Sequence, residues 1–288
     1  MKKKDINEKE LNALVSLLDD NDKEVSANVE SKILSMGNAV IPYLEEQWEN
    51  IFNPIIQKKL EDIIHSLQFL YLQQRLIAWK DSNKQDLLEG IWLVATYLYP
   101  DLEFEKIRGE LEQIYYEAWL EYKTDASPFE KVKILNSVLF DKLKFMPNSK
   151  NFHAPGNSMI NTVLETRKGN PLTLCAIYLM VAQKLKMPVY GVNLPNLFIL
   201  TYKTKDQQFY VNAFNRGIIF TREDISNYIG HLNLAPMDIF YEPCTYKDII
   251  RRLLRNLMAA FENVGDHYKS EEVKILLKSI TEGNEIEY

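Results

Sequence analysis

Residues 157–188 read NSMINTVLETRKGNPLTLCAIYLMVAQKLKMP, and residues 189–220 continue as VYGVNLPNLFILTYKTKDQQFYVNAFNRGIIF. This stretch predicts two helices end to end and then four short strands. Asn157 or Ser158 is placed to cap a helix over 159–167, which Gly169 terminates. Asn170 then caps a second helix with Pro171 at its first position, where the missing proline N–H has no partner to lose. That helix, 172–186, is apolar almost all round: Leu172, Leu174, Cys175, Ile177, Leu179, Val181. A helix of this kind is buried on most sides, so it is expected at the centre of its domain. The strand-like runs are 188–194, 197–202, 209–214 and 217–220, with turns at Pro195-Asn196, Lys203-Thr204-Lys205-Asp206 and Asn215-Arg216-Gly217. Their lengths suit an antiparallel meander packed on the buried helix. The expected class is α+β, mainly helical.

The flanks read as helices. Leu11, Leu14, Val15 and Leu18 give one apolar face, and Val25, Val29, Ile33 and Leu34 a second, closed by Gly37. A third helix spans 39–49. Asn53-Pro54 opens a fourth, to about Leu67. Ser82 or Asn83 is placed to cap a helix ending at Pro100, and another runs over 103–122, with Tyr115, Trp119 and Tyr122 as an expected core stripe. Ser127-Pro128-Phe129-Glu130 has the form of a capping box with proline at the first helical position. The segment 145–156 is expected to be irregular. Thr221 and Asp224 begin a further helix, and 249–264 and 271–280 are helical, followed by a polar tail over 282–288. Arg251, Arg252 and Arg255 predict a solvated basic face, with phosphate binding as the lesser alternative.

With 46% apolar and 26% charged residues, 288 residues are enough for one large domain or two to three small ones. A net charge of −6 argues against nucleic-acid binding through bulk electrostatics. The apolar run beginning at Ile91 breaks at Thr96, far short of the roughly 20 residues that span a bilayer. Met1-Lys2-Lys3-Lys4 is followed by Asp5 and not by an apolar segment, so no signal peptide is expected. Cys175 and Cys244 alone make neither a disulfide framework nor a zinc site, and a cytoplasmic location follows as the economical expectation. No cofactor and no metal are expected.

Particular strings in this stretch resemble the transglutaminase-like superfamily, in its SirB-like bacterial branch. Residues 157–174 look like that branch's NSxLNxVLExRRGxPITL, and 178–188 like its YLEVARRLGLP. Residues 191–198, GVNLPNLF, match GVGLPGHF imperfectly, and 211–217, VNAFNRG, match IDPFNGG. The likeness extends over about 87–257. It implies a papain/transglutaminase-like core, a buried central helix packed on a small antiparallel sheet. Residues 14–44 resemble a HEAT repeat, with an ordinary helical hairpin as an equal alternative. The implied organisation is a helical, HEAT-like region at 1–81, a transglutaminase-like domain at 82–230 and a helical region at 231–288.

Active members of the superfamily use Cys, His and Asp: a thiol at the start of the buried helix, a histidine on the next hairpin and a carboxylate on the following strand. Carried over one at a time, the thiol position falls on Pro171, the histidine on Leu197 and the aspartate on Asn212. The branch string also lacks a cysteine at the first position, whereas Leu197 and Asn212 depart from the branch as well. Cys175 lies about one turn beyond Pro171 and reads as core, since free cysteine is among the most buried residue types. His153, in the loop before the core, is the one histidine in reach of a cleft; His65, His231 and His267 read as bystanders. The resemblance therefore implies a catalytically inactive module that binds a protein partner, with no nucleic-acid or membrane role. The alternative is a peptidase or amide transferase using Cys175 and His153. Asn170, Asn196, Tyr210 and Asn212 are the polar groups expected near a remnant cleft.

Overall fold

The computed structural model describes residues 8–20 and 22–281; the basic start, Asn21 and the tail over 282–288 lie outside them. The chain divides into two compact units, Met1–Arg75 and Leu76–Tyr288.

In the first unit, α1 (Glu8–Ser16) and α2 (Lys23–Ser35) are followed by α3 (Ile41–Asn50) and by α4 (Pro54–Asp81), whose residues 76–81 belong to the second unit. The side chain of Asp22 caps α2 by accepting from the Glu24 N–H at 2.9 Å. Gly37, at φ 77°, takes the left-handed turn after it. Leu11, Leu18, Ile33, Leu44, Leu60 and Ile63 are buried together. Lys59 Nζ donates to the Leu18 carbonyl at 2.6 Å and the Ser26 hydroxyl at 2.8 Å, joining α4 to the α1–α2 connection. Helix α4 does not stop near Leu67. Residues 68–81 hold no Gly or Pro, and Leu72, Leu76 and Trp79 continue the buried stripe, so nothing ends the helix.

The second unit begins with α5 (Leu87–Ala95), α6 (Phe104–Glu121) and α7 (Pro128–Asn136). Its first cap is Asp86, accepting from Glu89 N–H at 2.8 Å, rather than Ser82 or Asn83. The Ser127–Glu130 capping box forms as read. Trp119 is 56% exposed, so the aromatic stripe of α6 is not core throughout. The segment expected to be irregular contains β1 (Met146–Pro147), which pairs in parallel with β2 (Lys168–Gly169). Between them lies α8 (Ile160–Thr166), whose cap position is Met159 without a side-chain bond. Asn157 is used differently: its amide donates to the carbonyls of Asn151 and Phe152 at 2.7 and 2.9 Å, and so closes the loop before α8.

Helix α9 (Pro171–Lys184) is buried from Leu172 to Ala182. Each large aliphatic residue on it contributes about 1.5–3 kcal/mol by burial. It packs on a four-stranded antiparallel meander of β3 (Val189–Leu194), β4 (Leu197–Lys203), β5 (Gln208–Asn212) and β6 (Ile218–Phe220). This is an α+β, mainly helical fold, with the buried central helix on a small antiparallel sheet. Helices α10 (Arg222–His231), α11 (Tyr246–Asn263) and α12 (His267–Ile280) complete it, and α11 packs on α5, α9 and β3. Capping boxes Thr221–Asp224 and Thr245–Asp248 start α10 and α11. Arg251 is not solvated. It is buried, and its Nε and Nη2 donate to the Ile280 carbonyl at 3.1 and 3.0 Å, a cation closing the C-terminus of α12. No helix among the described residues is long and apolar enough to cross a membrane.

Candidate functional site

A cavity of about 270 Å³ opens at the start of α9. One wall is the loop His153–Ala154 with Ser158; another is Asn170, Pro171 and Leu172; the β3–β4 turn adds Asn196 and Phe198; α11 closes it with Arg252, Asn256, Ala260 and Asn263.

The wall at α9 is built by a connected polar group. Asn170 Oδ1 accepts from the Thr173 N–H at 2.9 Å, and Asn170 Nδ2 donates to Ser158 Oγ at 3.1 Å. Thr173 Oγ1 donates in turn to the Asn157 carbonyl at 2.9 Å. The cap that starts the helix thus also fixes the loop facing it. The β3–β4 turn is held from outside: Tyr228 on α10 donates to the Pro195 carbonyl at 2.8 Å. Asn196 takes φ 58°, a left-handed position that asparagine tolerates better than most residues.

Arg252 reaches the cavity from α11. Its Nη1 donates to Asn193 Oδ1 at 3.2 Å and to the Leu194 carbonyl at 3.3 Å. Burial first, and the neighbouring Arg255 second, hold its pKa below the usual guanidinium value. Among the described residues it is the only formally charged side chain lining the cavity apart from the titratable His153, and no carboxylate lines it.

Of the three positions that the resemblance assigns to a triad, Pro171 lines the cavity and the other two do not. Leu197 packs with Val192, Leu194, Ile199 and Tyr210, in a cluster that holds Ile225 and Ile229 of α10 and no residue of α9. Asn212 is buried and accepts from the Asn215 N–H at 3.2 Å, capping the short turn after β5. Tyr210 is buried too and donates to the Tyr241 carbonyl at 3.2 Å. So Asn170 and Asn196 face the cavity, and Tyr210 and Asn212 do not. Cys175 is 0% exposed, does not line the cavity and donates to the Phe198 carbonyl at 3.4 Å. Burial pushes its thiol up to about 12. His153 is exposed on the rim. Among the described residues no group of three His, Cys, Asp or Glu side chains is placed to hold a metal ion.

A profile described as the transglutaminase-like superfamily matches residues 105–255, just over half of the chain. The chain belongs to the transglutaminase-like superfamily. The SirB-like strings of the core accord with that membership. Two UPF0162 proteins of Xylella fastidiosa are 29% and 30% identical to it over 204 residues, 65% of this chain and 69% of theirs. A UPF0162 protein of Buchnera aphidicola is 28% identical over 185 residues, covering 62% of this chain and 68% of its own. F-box only protein 21 of Mus musculus is 30% identical over 140 residues, 46% of this chain but 22% of its own length. No solved structure matches the chain significantly.

Pro171, the residue that the resemblance sets at the nucleophile's position, lines the cavity. Reading along the sequence did not pick out Arg252 and Asn256 as cavity residues. Their spacing with Ala260 and Asn263, three to four residues apart on α11, is the signal that was there to use.

Proposed function

We propose that this transglutaminase-like protein is catalytically inactive and acts as a protein-binding or regulatory module. The observation that carries the reading is the wall at the start of α9: Pro171 and Leu172 line it, and the nearest thiol in sequence, Cys175, is fully covered. A thiol must ionise to attack a carbonyl, and a thiol pushed up to about 12 is neutral near pH 7. The recurrence of a like segment as 22% of a much longer F-box protein supports a role as a module. The acidic balance, net −6, favours a protein partner over nucleic acid, and two free cysteines suit a reducing, cytoplasmic setting. The helical, HEAT-like hairpins of the first unit would add surface for such a partner. The test is turnover. Incubated with a glutamine-containing peptide and a primary amine, the protein should release no more ammonia than buffer does. Release that disappears in Cys175→Ala would establish the enzyme reading instead.

A further inference from the structure

The cavity at the start of α9 is built from unusual parts for a protein of net charge −6. Its lining combines one guanidinium, four asparagine side chains (Asn170, Asn196, Asn256, Asn263), a serine hydroxyl and the apolar faces of Phe152, Pro171, Leu172 and Phe198. Among the described residues, no acid lines it. Arg252 is half-buried, and it donates to an amide oxygen, Asn193 Oδ1, and to the Leu194 carbonyl, neither of them ionised. A second cation, Arg255, is close enough to act on it. A partly desolvated cation beside a like charge gains most from a nearby anion.

We propose that this cavity receives a carboxylate side chain of a protein partner, a Glu or Asp flanked by an apolar residue, with Arg252 as the group that binds the carboxylate. The proposal rests on the inactive, protein-binding reading above and names what that site takes. Charge decides the ligand class. One guanidinium matches one monoanion, and its planar fork suits a carboxylate. Arg255 is not among the described residues that line the cavity, so a phosphate dianion would meet one guanidinium there and keep part of its charge uncompensated. Size agrees, since 270 Å³ lies just below the roughly 300–1,000 Å³ of pockets that take whole small molecules. That is room for a side chain and its neighbour, with the asparagine amides available to the peptide backbone.

The experiment is a calorimetric titration of the full chain with N-acetyl-Leu-Glu-Leu-amide, its Gln counterpart and inorganic phosphate. The Glu peptide should bind about tenfold or more tightly than the Gln peptide, and its affinity should fall as salt rises. Arg252→Gln should lower the affinity by about tenfold or more, and Arg252→Lys by less. Arg252 also holds the β3–β4 hairpin, so a second variant leaves it in place. Ala259 lines the cavity from an exposed position on α11. Ala259→Glu should offer Arg252 a carboxylate of its own and weaken the Glu peptide, whereas Ala259→Gln should not. Equal binding of the two peptides, unchanged binding in both Arg252→Gln and Ala259→Glu, or phosphate binding more tightly than the Glu peptide would each overturn the assignment. Ammonia released from the Gln peptide in the same samples would instead overturn the inactive reading, so the two failures are separable.

Discussion

Asn170→Ala removes the group on which the α9 end of the cavity is built. Its Oδ1 accepts from the Thr173 N–H at 2.9 Å, and its Nδ2 donates to Ser158 Oγ at 3.1 Å. Loss of an N-cap side chain costs about 0.5–2 kcal/mol. Thr173 and Ser158 are each 1% exposed, so water does not replace the lost partner, and an orphaned buried polar group costs about 1–3 kcal/mol. The two effects overlap, and together they give about 2–4 kcal/mol. For a unit the size of Leu76–Tyr288 each kcal/mol lowers the melting temperature by about 2–4 °C. Scanning calorimetry should therefore show its transition falling by about 4–16 °C. Asn170→Asp is the control. It keeps the acceptor for Thr173, places a negative charge at a helix N-terminus, and can accept from the Ser158 hydroxyl if that bond reverses. It should lose clearly less than the alanine variant. A change within about 0.5 kcal/mol for Asn170→Ala would refute the reasoning, as would equal losses for the two variants.

Two more outcomes follow from single positions. Gly217 sits at φ 75°, and a β-carbon there would lie 2.1 Å from Asn136 Oδ1, whose amide donates to the Gly217 carbonyl at 2.9 Å. Gly217→Ala should cost about 2–4 kcal/mol in denaturant unfolding, from backbone strain and the displaced amide, and a loss under about 1 kcal/mol would contradict this. Cys175 ionises near 9 when unfolded and is pushed up to about 12 by burial, so its contribution is whole below pH 9 and is lost as pH rises from 9 to 12. Unfolding measured along that range should fall less steeply for Cys175→Ala than for the native chain, by up to about 1.4 kcal/mol per pH unit; identical slopes would count against the buried, neutral thiol.

The parts of the fold that could be read from sequence are those fixed by near neighbours. Asn170-Pro171, Ser127-Pro128-Glu130 and Thr221-Asp224 are caps whose partners lie three residues away, and all three form. The all-apolar face of α9 announced its burial. Ser82, Asn83 and Asp86 are all competent caps, and only the packing of α5 selects Asp86 among them. The β1–β2 pair joins segments about 20 residues apart with two residues each, too little pattern to see in advance. At the cavity, Asn170 and Asn196 were legible because they flank α9 and the β3–β4 turn directly. Tyr210 and Asn212 turn to other partners, Tyr241 and Asn215. Arg252 looked like part of a solvated stripe with Arg251; α12 covers one of them and the hairpin engages the other, and both contacts are long-range.

We propose that this core, of the kind that thiol enzymes use, holds Cys175 as an unreactive thiol. Alkylation with iodoacetamide at neutral pH, followed residue by residue by mass spectrometry, tests it most directly. Cys175 is expected to stay unmodified in the folded chain and to react only once denaturant is added. Rapid modification of Cys175 in the native protein would contradict the claim.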